Sequence, residues 1–239
     1  MKVPHAATEA VLHSSSGLIG VLVSGGLDSA VLVAELAASR VVLPIYIRAG
    51  LAWEEIELEY CRNFLKRMGG ASTLPLVVLE QPVADIYGSH WSLGGERVPG
   101  ADSPDEAVYL PGRNLLLLFK AMLYCHLHGV GEVAIAVLFG NPFPDASPEF
   151  FESIAKVVNT AVGGDMKILL PYRQFRKGEV VRRGAEFPLE WTFSCIQPIV
   201  GVHCGHCNKC AERQAAFSAT GVPDPTHYAF RSKERSCTE

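Results

Sequence analysis

A six-residue loop of glycine, serine and aspartate joins an apolar run to a helical pattern near the start of the chain, and it limits the possible folds more than any other segment. The apolar run is Leu18–Val23, whose branched residues are typical of a strand that is buried on both faces. The loop reads Ser24-Gly25-Gly26-Leu27-Asp28-Ser29, and the helical pattern extends from Asp28 to Ala38. The chain is therefore expected to enter its fold through a strand, a sharp turn and a helix.

Strands and helices continue to alternate along the rest of the sequence. Further buried strands are predicted over Val41–Ile47, Leu74–Leu79, Val133–Leu138 and Ile168–Leu170. Helices are predicted over Trp53–Met68, Asn114–His128, Pro148–Val162, Lys177–Ala185 and Ala211–Phe217. This alternation predicts the α/β class, with a doubly wound parallel sheet that is covered by helices on both faces. Ligands in such folds bind at the carboxyl ends of the strands.

Composition divides the chain into three parts. Residues 1–16 form a polar N-terminal extension, and residues 17–186 carry the alternating pattern. Within the second part, residues 81–112 lack periodicity and are predicted to be an insertion. Residues 187–239 hold a group of cysteines, a short helix and a polar tail, and we expect them to form a small C-terminal segment of their own.

Charge and hydropathy exclude several classes of function. The net charge is −4 and the apolar fraction is 49%, so a large core is expected and binding to nucleic acid through phosphates is disfavoured. No apolar run approaches the roughly 20 residues that a membrane helix needs. The first sixteen residues do not resemble a signal peptide. We therefore expect a cytoplasmic protein without a membrane-spanning segment.

The loop suits an oxyanion such as pyrophosphate. Its two glycines let the backbone approach a ligand closely, and the helix that follows presents free N–H groups and a positive dipole end. Ser24 and Ser29 add hydroxyl donors, while Asp28 beside a phosphate makes sense as a ligand of Mg²⁺. The alternative is a tight turn in which Asp28 is a helix N-cap.

Four of the seven cysteines lie close together in the sequence. Cys195, Cys204, Cys207 and Cys210 follow a Cys-x8-Cys-x2-Cys-x2-Cys spacing, which is typical of a closed structural zinc site. An iron–sulfur cluster is the alternative, since short Cys-x2-Cys steps occur there too. His203 and His206 are placed to replace one thiolate or to face solvent.

The motifs together resemble the 7-cyano-7-deazaguanine synthases, a family of N-type ATP pyrophosphatases. The loop matches the family's SGGxDS sequence, and Cys204-Gly205-His206-Cys207 with the later Arg213 matches its cysteine block. Leu110-Pro111-Gly112-Arg113-Asn114, Lys177 and Pro144-Asp145 are similar to further family motifs. The resemblance implies an adenine nucleotide alpha hydrolase-like (HUP type) fold, with an ATP pyrophosphatase domain over 17–186 and a zinc-binding segment over 187–239.

The resemblance also implies an activity. Such an enzyme uses ATP to adenylate the carboxylate of 7-carboxy-7-deazaguanine and then uses ammonia to form the amide and finally the nitrile. The implied cofactors are ATP, Mg²⁺ and Zn²⁺. The implied partners are the small deazapurine carboxylate and ammonia, with a homodimer as the implied assembly.

Residue roles follow from the same motifs. Asp28, Lys177 and Arg113 are the implied catalytic residues, and Arg113, Asn114 and Asp145 are the implied acceptor-binding residues. ATP is expected to bind at Val23, Ser24, Gly25, Gly26, Leu27, Asp28, Ser29 and Ala30. The alternatives are structural: a surface arginine, a helix cap at Asn114, an exposed lysine, and a turn at Asp145.

Two segments depart from the family's pattern. Residues Ile47-Arg48-Ala49-Gly50-Leu51 stand where many members have Gln-Arg-His, and residues 141–148 lack a Cys-Arg pair. Two other hypotheses therefore remain open at the level of the sequence. The first is a paralogue of the family that adenylates another carboxylate or stops at the amide. The second is a non-catalytic zinc-ribbon module that binds RNA or a protein partner.

Overall fold

Five parallel strands form the central sheet, in the order β3-β2-β1-β4-β5. The structure is a computed structural model that describes residues 17–230, so the extension over 1–16 and the last part of the tail lie outside the described residues. The strands are β1 (Leu18–Leu22), β2 (Val41–Arg48), β3 (Val77–Glu80), β4 (Glu132–Ala134) and β5 (Lys167–Leu169). The order reverses between β1 and β4, which places a topological switch point at the end of β1.

Eight α-helices connect and cover the strands of the described residues. They are α1 (Leu27–Ala37), α2 (Glu54–Met68), α3 (Ala84–Tyr87), α4 (Trp91–Gly94), α5 (Arg113–Leu127), α6 (Pro148–Val162), α7 (Lys177–Arg183) and α8 (Asn208–Ser218). Among residues 17–230, no helix is long and apolar enough to cross a membrane.

The sheet carries an apolar core on each face, because alternate side chains of β1 point to opposite sides. Ile19 and Val21 lie in a core with residues of α1, α2, α7 and α8, namely Val31, Leu32, Leu58, Val180, Val181 and Phe217. Leu18 and Leu22 lie in a second core with residues of α5 and α6, namely Leu118, Ala121, Met122, Phe151, Ile154 and Val158. The predicted doubly wound α/β fold is confirmed.

The fourth strand is shorter than its apolar run suggests. The run Val133–Leu138 predicts a strand of six residues, but β4 ends at Ala134. Beyond it, Ile135 still donates its N–H to the carbonyl of Leu169 at 3.1 Å, whereas Val137 donates to the carbonyl of Ile135 instead of a neighbouring strand. The chain thus leaves the sheet early, and its apolar residues line a cavity rather than the sheet.

The insertion over 81–112 packs against the cysteine segment, which we define as residues 187–230. Asn208 donates its backbone N–H to the carbonyl of Pro99 and its side-chain N–H to the carbonyl of Ser103, both at 2.9 Å. The two parts share a third apolar core that contains Val83, Val108, Leu110, Ile196, Tyr228 and the four clustered cysteines. Residues far apart in sequence therefore form one wall beside the sheet.

Candidate active site

A cavity of about 620 Å³ opens at the carboxyl ends of the strands. The glycine loop, the end of β2 and the residues after β4 form its floor, while the starts of α5 and α7 and the cysteine segment form its sides. Its volume is in the range of small-molecule sites. Most residues predicted to bind ligand line it together: Val23, Ser24, Gly26, Leu27, Asp28, Ser29, Arg113, Asn114, Asp145 and Lys177. Gly25 and the buried Ala30, which are also predicted to bind ATP, are not among the residues that line it.

The first glycine of the loop cannot be replaced by a residue with a side chain, because of its backbone conformation and its close neighbour. Gly25 has a φ of +69°, and a Cβ there would lie 2.6 Å from the carbonyl oxygen of Glu57. Gly26 is the N-cap of α1 and offers no side-chain acceptor to the first N–H groups of that helix. Ser29 Oγ accepts the N–H of Ser24 at 3.1 Å, which closes the turn. The backbone therefore fits the anion nest that the sequence predicts.

Asp28 lies in the first turn of α1 and is not its N-cap, which argues against the structural alternative. Its Oδ2 accepts a hydrogen bond from Lys177 Nζ at 2.7 Å, although 149 positions separate the two residues. Its Oδ1 is buried and has no hydrogen-bond partner within residues 17–230. A buried carboxylate oxygen with free lone pairs, on a residue that lines the cavity with the glycine loop, fits a divalent cation such as Mg²⁺.

Lys177 is not the exposed lysine of the alternative interpretation. It lies between Asp28 and Glu212, whose Oε1 is 3.4 Å from its Nζ. Burial lowers the pKa of Lys177, but the two carboxylates raise it further, so the pKa lies above its usual value. In turn, Lys177 lowers the pKa of Glu212 to about 2. The lysine is thus a fixed positive charge at the edge of the loop.

Asp145 and Asn114 are joined by two hydrogen bonds. Asp145 Oδ2 accepts the backbone N–H of Asn114, and Asn114 Nδ2 donates to the carbonyl of Asp145, both at 2.9 Å. Asp145 therefore satisfies the start of α5, and the N-cap of that helix is Gly112 rather than Asn114. The neighbouring Arg113 lines the cavity, and its Nε is buried without a hydrogen-bond partner in the described part of the chain.

A buried acid that the sequence does not single out lies below the loop. Glu57 is only 8% exposed, and its Oε2 accepts a hydrogen bond from the hydroxyl of Tyr46 at 2.6 Å. Burial raises the pKa of Glu57 to about 7, while Arg113 and the Tyr46 hydroxyl oppose the rise. Both side chains line the cavity, so a carboxyl group whose pKa is raised to about 7 borders it.

The raised pKa predicts a stability effect. Because the folded state binds the proton of Glu57 more tightly than the unfolded chain does, its free energy of unfolding should fall as pH rises from about 4.5 to 7. We expect Glu57→Gln to be more stable than the wild type at pH 8, by up to about 3 kcal/mol, and equally stable at pH 4.5. Urea unfolding at several pH values measures this. Glu59→Gln, an exposed change on the same helix, is the control. Equal pH slopes for Glu57→Gln and wild type would contradict the prediction.

The four clustered cysteines form a closed group of sulfur atoms. All four are buried, and their Sγ atoms lie within 4.8 Å of one another. The Cys195–Cys207 and Cys204–Cys210 pairs are 3.9 and 3.8 Å apart. The edge of a tetrahedron with 2.3 Å Zn–S bonds is about 3.8 Å, so the arrangement can hold a metal ion such as zinc.

Backbone donors and the nearby histidines complete this site. Cys195 Sγ accepts the N–H groups of Gln197 and Cys204. His203 is buried and accepts the N–H of Ser194 at Nε2, so it is not a fifth member of the group. Burial and the nearby Arg213 lower the pKa of His203 to about 3, and the ring is neutral. His206 is exposed.

Arg213 is buried within the cysteine segment, with 1% exposure. Its guanidinium donates to neutral oxygens, namely the Thr226 hydroxyl at 2.6 Å, the Ser194 hydroxyl at 3.3 Å and the Leu189 carbonyl at 3.0 Å. Within residues 17–230 it makes no ion pair with a carboxylate. Arg213 therefore ties α8 to the segment that precedes the cysteines.

A doubly wound parallel sheet with a glycine loop at its switch point, and a four-cysteine segment whose Phe193 contacts that loop, is typical of an α/β nucleotide-binding protein of the ATP pyrophosphatase type. Comparison with known proteins gives the family. The family model described as queuosine biosynthesis protein QueC matches residues 19–221, and the chain belongs to this family of ATP-dependent enzymes.

Three curated relatives are named 7-cyano-7-deazaguanine synthase. The chain is 33% identical to the protein of Syntrophobacter fumaroxidans over 87% of this chain and 94% of the relative. It is 30% identical to the protein of Thiobacillus denitrificans, over 87% and 97%, and 30% identical to that of Brucella canis, over 92% and 97%. A solved structure titled as a predicted subunit of tRNA methyltransferase from Methanocaldococcus jannaschii is similar, with 15% identity, a TM-score of 0.49, and coverage of 91% of this chain and 94% of that one.

Proposed function

We propose that the chain is an ATP-dependent carbon–nitrogen ligase that converts 7-carboxy-7-deazaguanine, with ammonia, to the amide and then to 7-cyano-7-deazaguanine. The observation that carries the proposal is that the glycine loop, Lys177 and Arg113 all line the same cavity. The names of the relatives support the same reaction.

The loop and Lys177 are proposed to bind the phosphates. The substrate carboxylate oxygen attacks the α-phosphorus of ATP, and pyrophosphate leaves from the loop. Backbone N–H groups at the start of α1 and the ammonium group of Lys177 offset the negative charge that builds on the phosphates. Asp28 would hold Mg²⁺ through its free oxygen, and the ion supplies charge neutralisation for pyrophosphate as it leaves.

Arg113 is proposed to hold the acceptor carboxylate. Its planar guanidinium binds a carboxylate at two points, and its Nε is available in the cavity. Ammonia then attacks the acyl carbon, AMP leaves and one proton is lost, which gives the amide. A second ATP then adenylates the amide oxygen, which releases pyrophosphate and one proton of the amide nitrogen. Loss of AMP and of the second nitrogen proton gives the nitrile. The Asp145–Asn114 pair supports this wall by fixing the start of α5.

The cysteine group is proposed to bind structural zinc. Four thiolates close the tetrahedron and leave no position for water, so the ion would stabilise the segment rather than take part in chemistry.

The reaction can be tested directly. The zinc-loaded chain is incubated with ATP, Mg²⁺, ammonium and 7-carboxy-7-deazaguanine, and products are followed by mass spectrometry. We expect the nitrile together with AMP and pyrophosphate. An amide that is never dehydrated would instead identify an enzyme of the first half-reaction. Bound ATP without turnover would indicate another carboxylate acceptor.

A further inference from the structure

The helix that follows the cysteine group brings two charged side chains into the cavity. Lys209 and Glu212 both lie on α8 and line the cavity beside the loop. Lys209 Nζ is 2.8 Å from Glu212 Oε2, and Lys177 Nζ is 3.4 Å from Glu212 Oε1. Glu212 therefore bridges two ammonium groups, one from α7 and one from its own helix. Lys209 is an unspecified position within the Cys207-x2-Cys210 spacing, and Glu212 lies outside the motifs that the sequence marks.

The cysteine segment also contacts the loop through its backbone. Phe193 donates its N–H to the carbonyl of Gly25 at 2.7 Å. Phe193, Ser194 and Ile196 line the cavity next to this contact, and the buried Cys195 lies among them. The same segment thus contacts the loop through Phe193 and lines the cavity with Lys209 and Glu212.

Lys177 has two carboxylate partners, Asp28 and Glu212. Asp28 is the nearer partner of Lys177, at 2.7 Å, but the proposed function gives Asp28 a divalent cation and gives Lys177 a phosphate. With Asp28 Oδ1 given to the cation, Glu212 is the other carboxylate within 4 Å of Lys177 in the described part of the chain, and it carries no such second task. Without Glu212, Lys177 would have only the shared Asp28 as a partner, and Lys209 would lose its ion pair.

We propose that Glu212 is a positioning residue of the nucleotide site, which holds Lys177 and Lys209 so that both ammonium groups face the polyphosphate. The cysteine segment is then a working part of ATP binding and not only a stabilising appendage. This inference rests on the proposed ATP-dependent function and adds to it a second lysine and the carboxylate that orients both.

The test measures nucleotide affinity, which does not depend on the acceptor. MgATP binding is measured by calorimetry for the wild type, Glu212→Gln and Glu190→Gln, an exposed glutamate in the same segment. We expect Glu212→Gln to weaken MgATP binding about tenfold, because charge-assisted hydrogen bonds to two lysines are lost. Glu190→Gln should bind as the wild type does, and Glu212→Asp should recover most of the affinity.

A second variant separates the two lysines. Lys209→Ala should weaken MgATP binding about threefold to tenfold while zinc content and thermal midpoint stay at wild-type values, since one partly exposed phosphate contact is removed. Lys66→Ala on the exposed side of α2 is its control.

Each contrary result has a distinct meaning. A Glu212→Gln variant that binds MgATP like the wild type would overturn this inference alone. Lower affinity accompanied by loss of zinc or of the folded state would also overturn it, because the role of Glu212 would then be structural. A wild-type chain that binds no MgATP would overturn the proposed function and this inference with it.

Discussion

Replacement of Asp28 by Ala is expected to abolish ATP turnover, with a loss of about a thousandfold or more, while the chain stays folded. The change removes the oxygen that we assign to Mg²⁺ and the nearer partner of Lys177. Folding should survive because Asp28 is partly exposed, at 22% for its side chain, and Lys177 keeps Glu212 as a partner. Release of AMP and pyrophosphate, measured with 7-carboxy-7-deazaguanine and ammonium present, gives the rate.

The matched control for this change is Asp165→Ala, which removes an exposed aspartate from a loop that does not line the cavity. It should turn over ATP at the wild-type rate. Circular dichroism and the thermal midpoint establish that Asp28→Ala is folded. Turnover by Asp28→Ala within tenfold of the wild type would contradict the assignment of the loop.

Removal of the metal is expected to produce the largest loss of stability. Structural zinc bound by cysteines contributes on the order of 10 kcal/mol in small zinc domains, more than most whole domains have in reserve. We therefore expect Cys204→Ser, or treatment with a strong chelator, to unfold the cysteine segment and to remove one wall of the cavity. Thermal unfolding with metal analysis of the same samples measures both effects.

Cys125→Ala is the control for the cysteine change, since Cys125 is buried in the core between β1 and α5 and is not one of the four clustered cysteines. It should keep one zinc per chain. Elemental analysis and the visible spectrum also separate zinc from iron, because an iron–sulfur cluster is coloured. A Cys204→Ser chain with a full metal content and an unchanged midpoint would contradict the proposed four-thiolate site.

Local patterns in the sequence predict the sheet, the loop and the cysteine group. A branched apolar run followed by two glycines and a helical pattern specifies a strand, a turn and a helix with few alternatives. The cysteine spacing is similarly restrictive, and the structure brings the four Sγ atoms together as predicted. The roles of Asp28, Arg113 and Lys177 remain predictions, although all three line one cavity.

Contacts between distant residues were not predictable in the same way. Glu57 lies on α2, an amphipathic helix whose charged residues are expected to face solvent. Its side chain is nevertheless buried, because it contacts Tyr46 of β2 and the glycine loop. Asp145 reads as an ordinary turn residue, yet it satisfies an N–H of a helix that starts 32 residues earlier in the chain. The insertion has only two short α-helices, and some of its contacts run to the distant Asn208, which a local pattern does not reveal.

The buried guanidinium of Arg213 affects the balance of charge around the four clustered cysteines. Four thiolates around a divalent ion carry two net negative charges, and such charge is costly in a medium of low polarity. Arg213, whose hydrogen bonds go to neutral oxygens, would offset part of that charge, because its guanidinium interacts electrostatically with Cys210. Oxidation of the cysteines to disulfides would remove both the thiolate charge and the ligands of the ion. The redox state of the sulfurs and the retention of a cation are thereby coupled within one small segment.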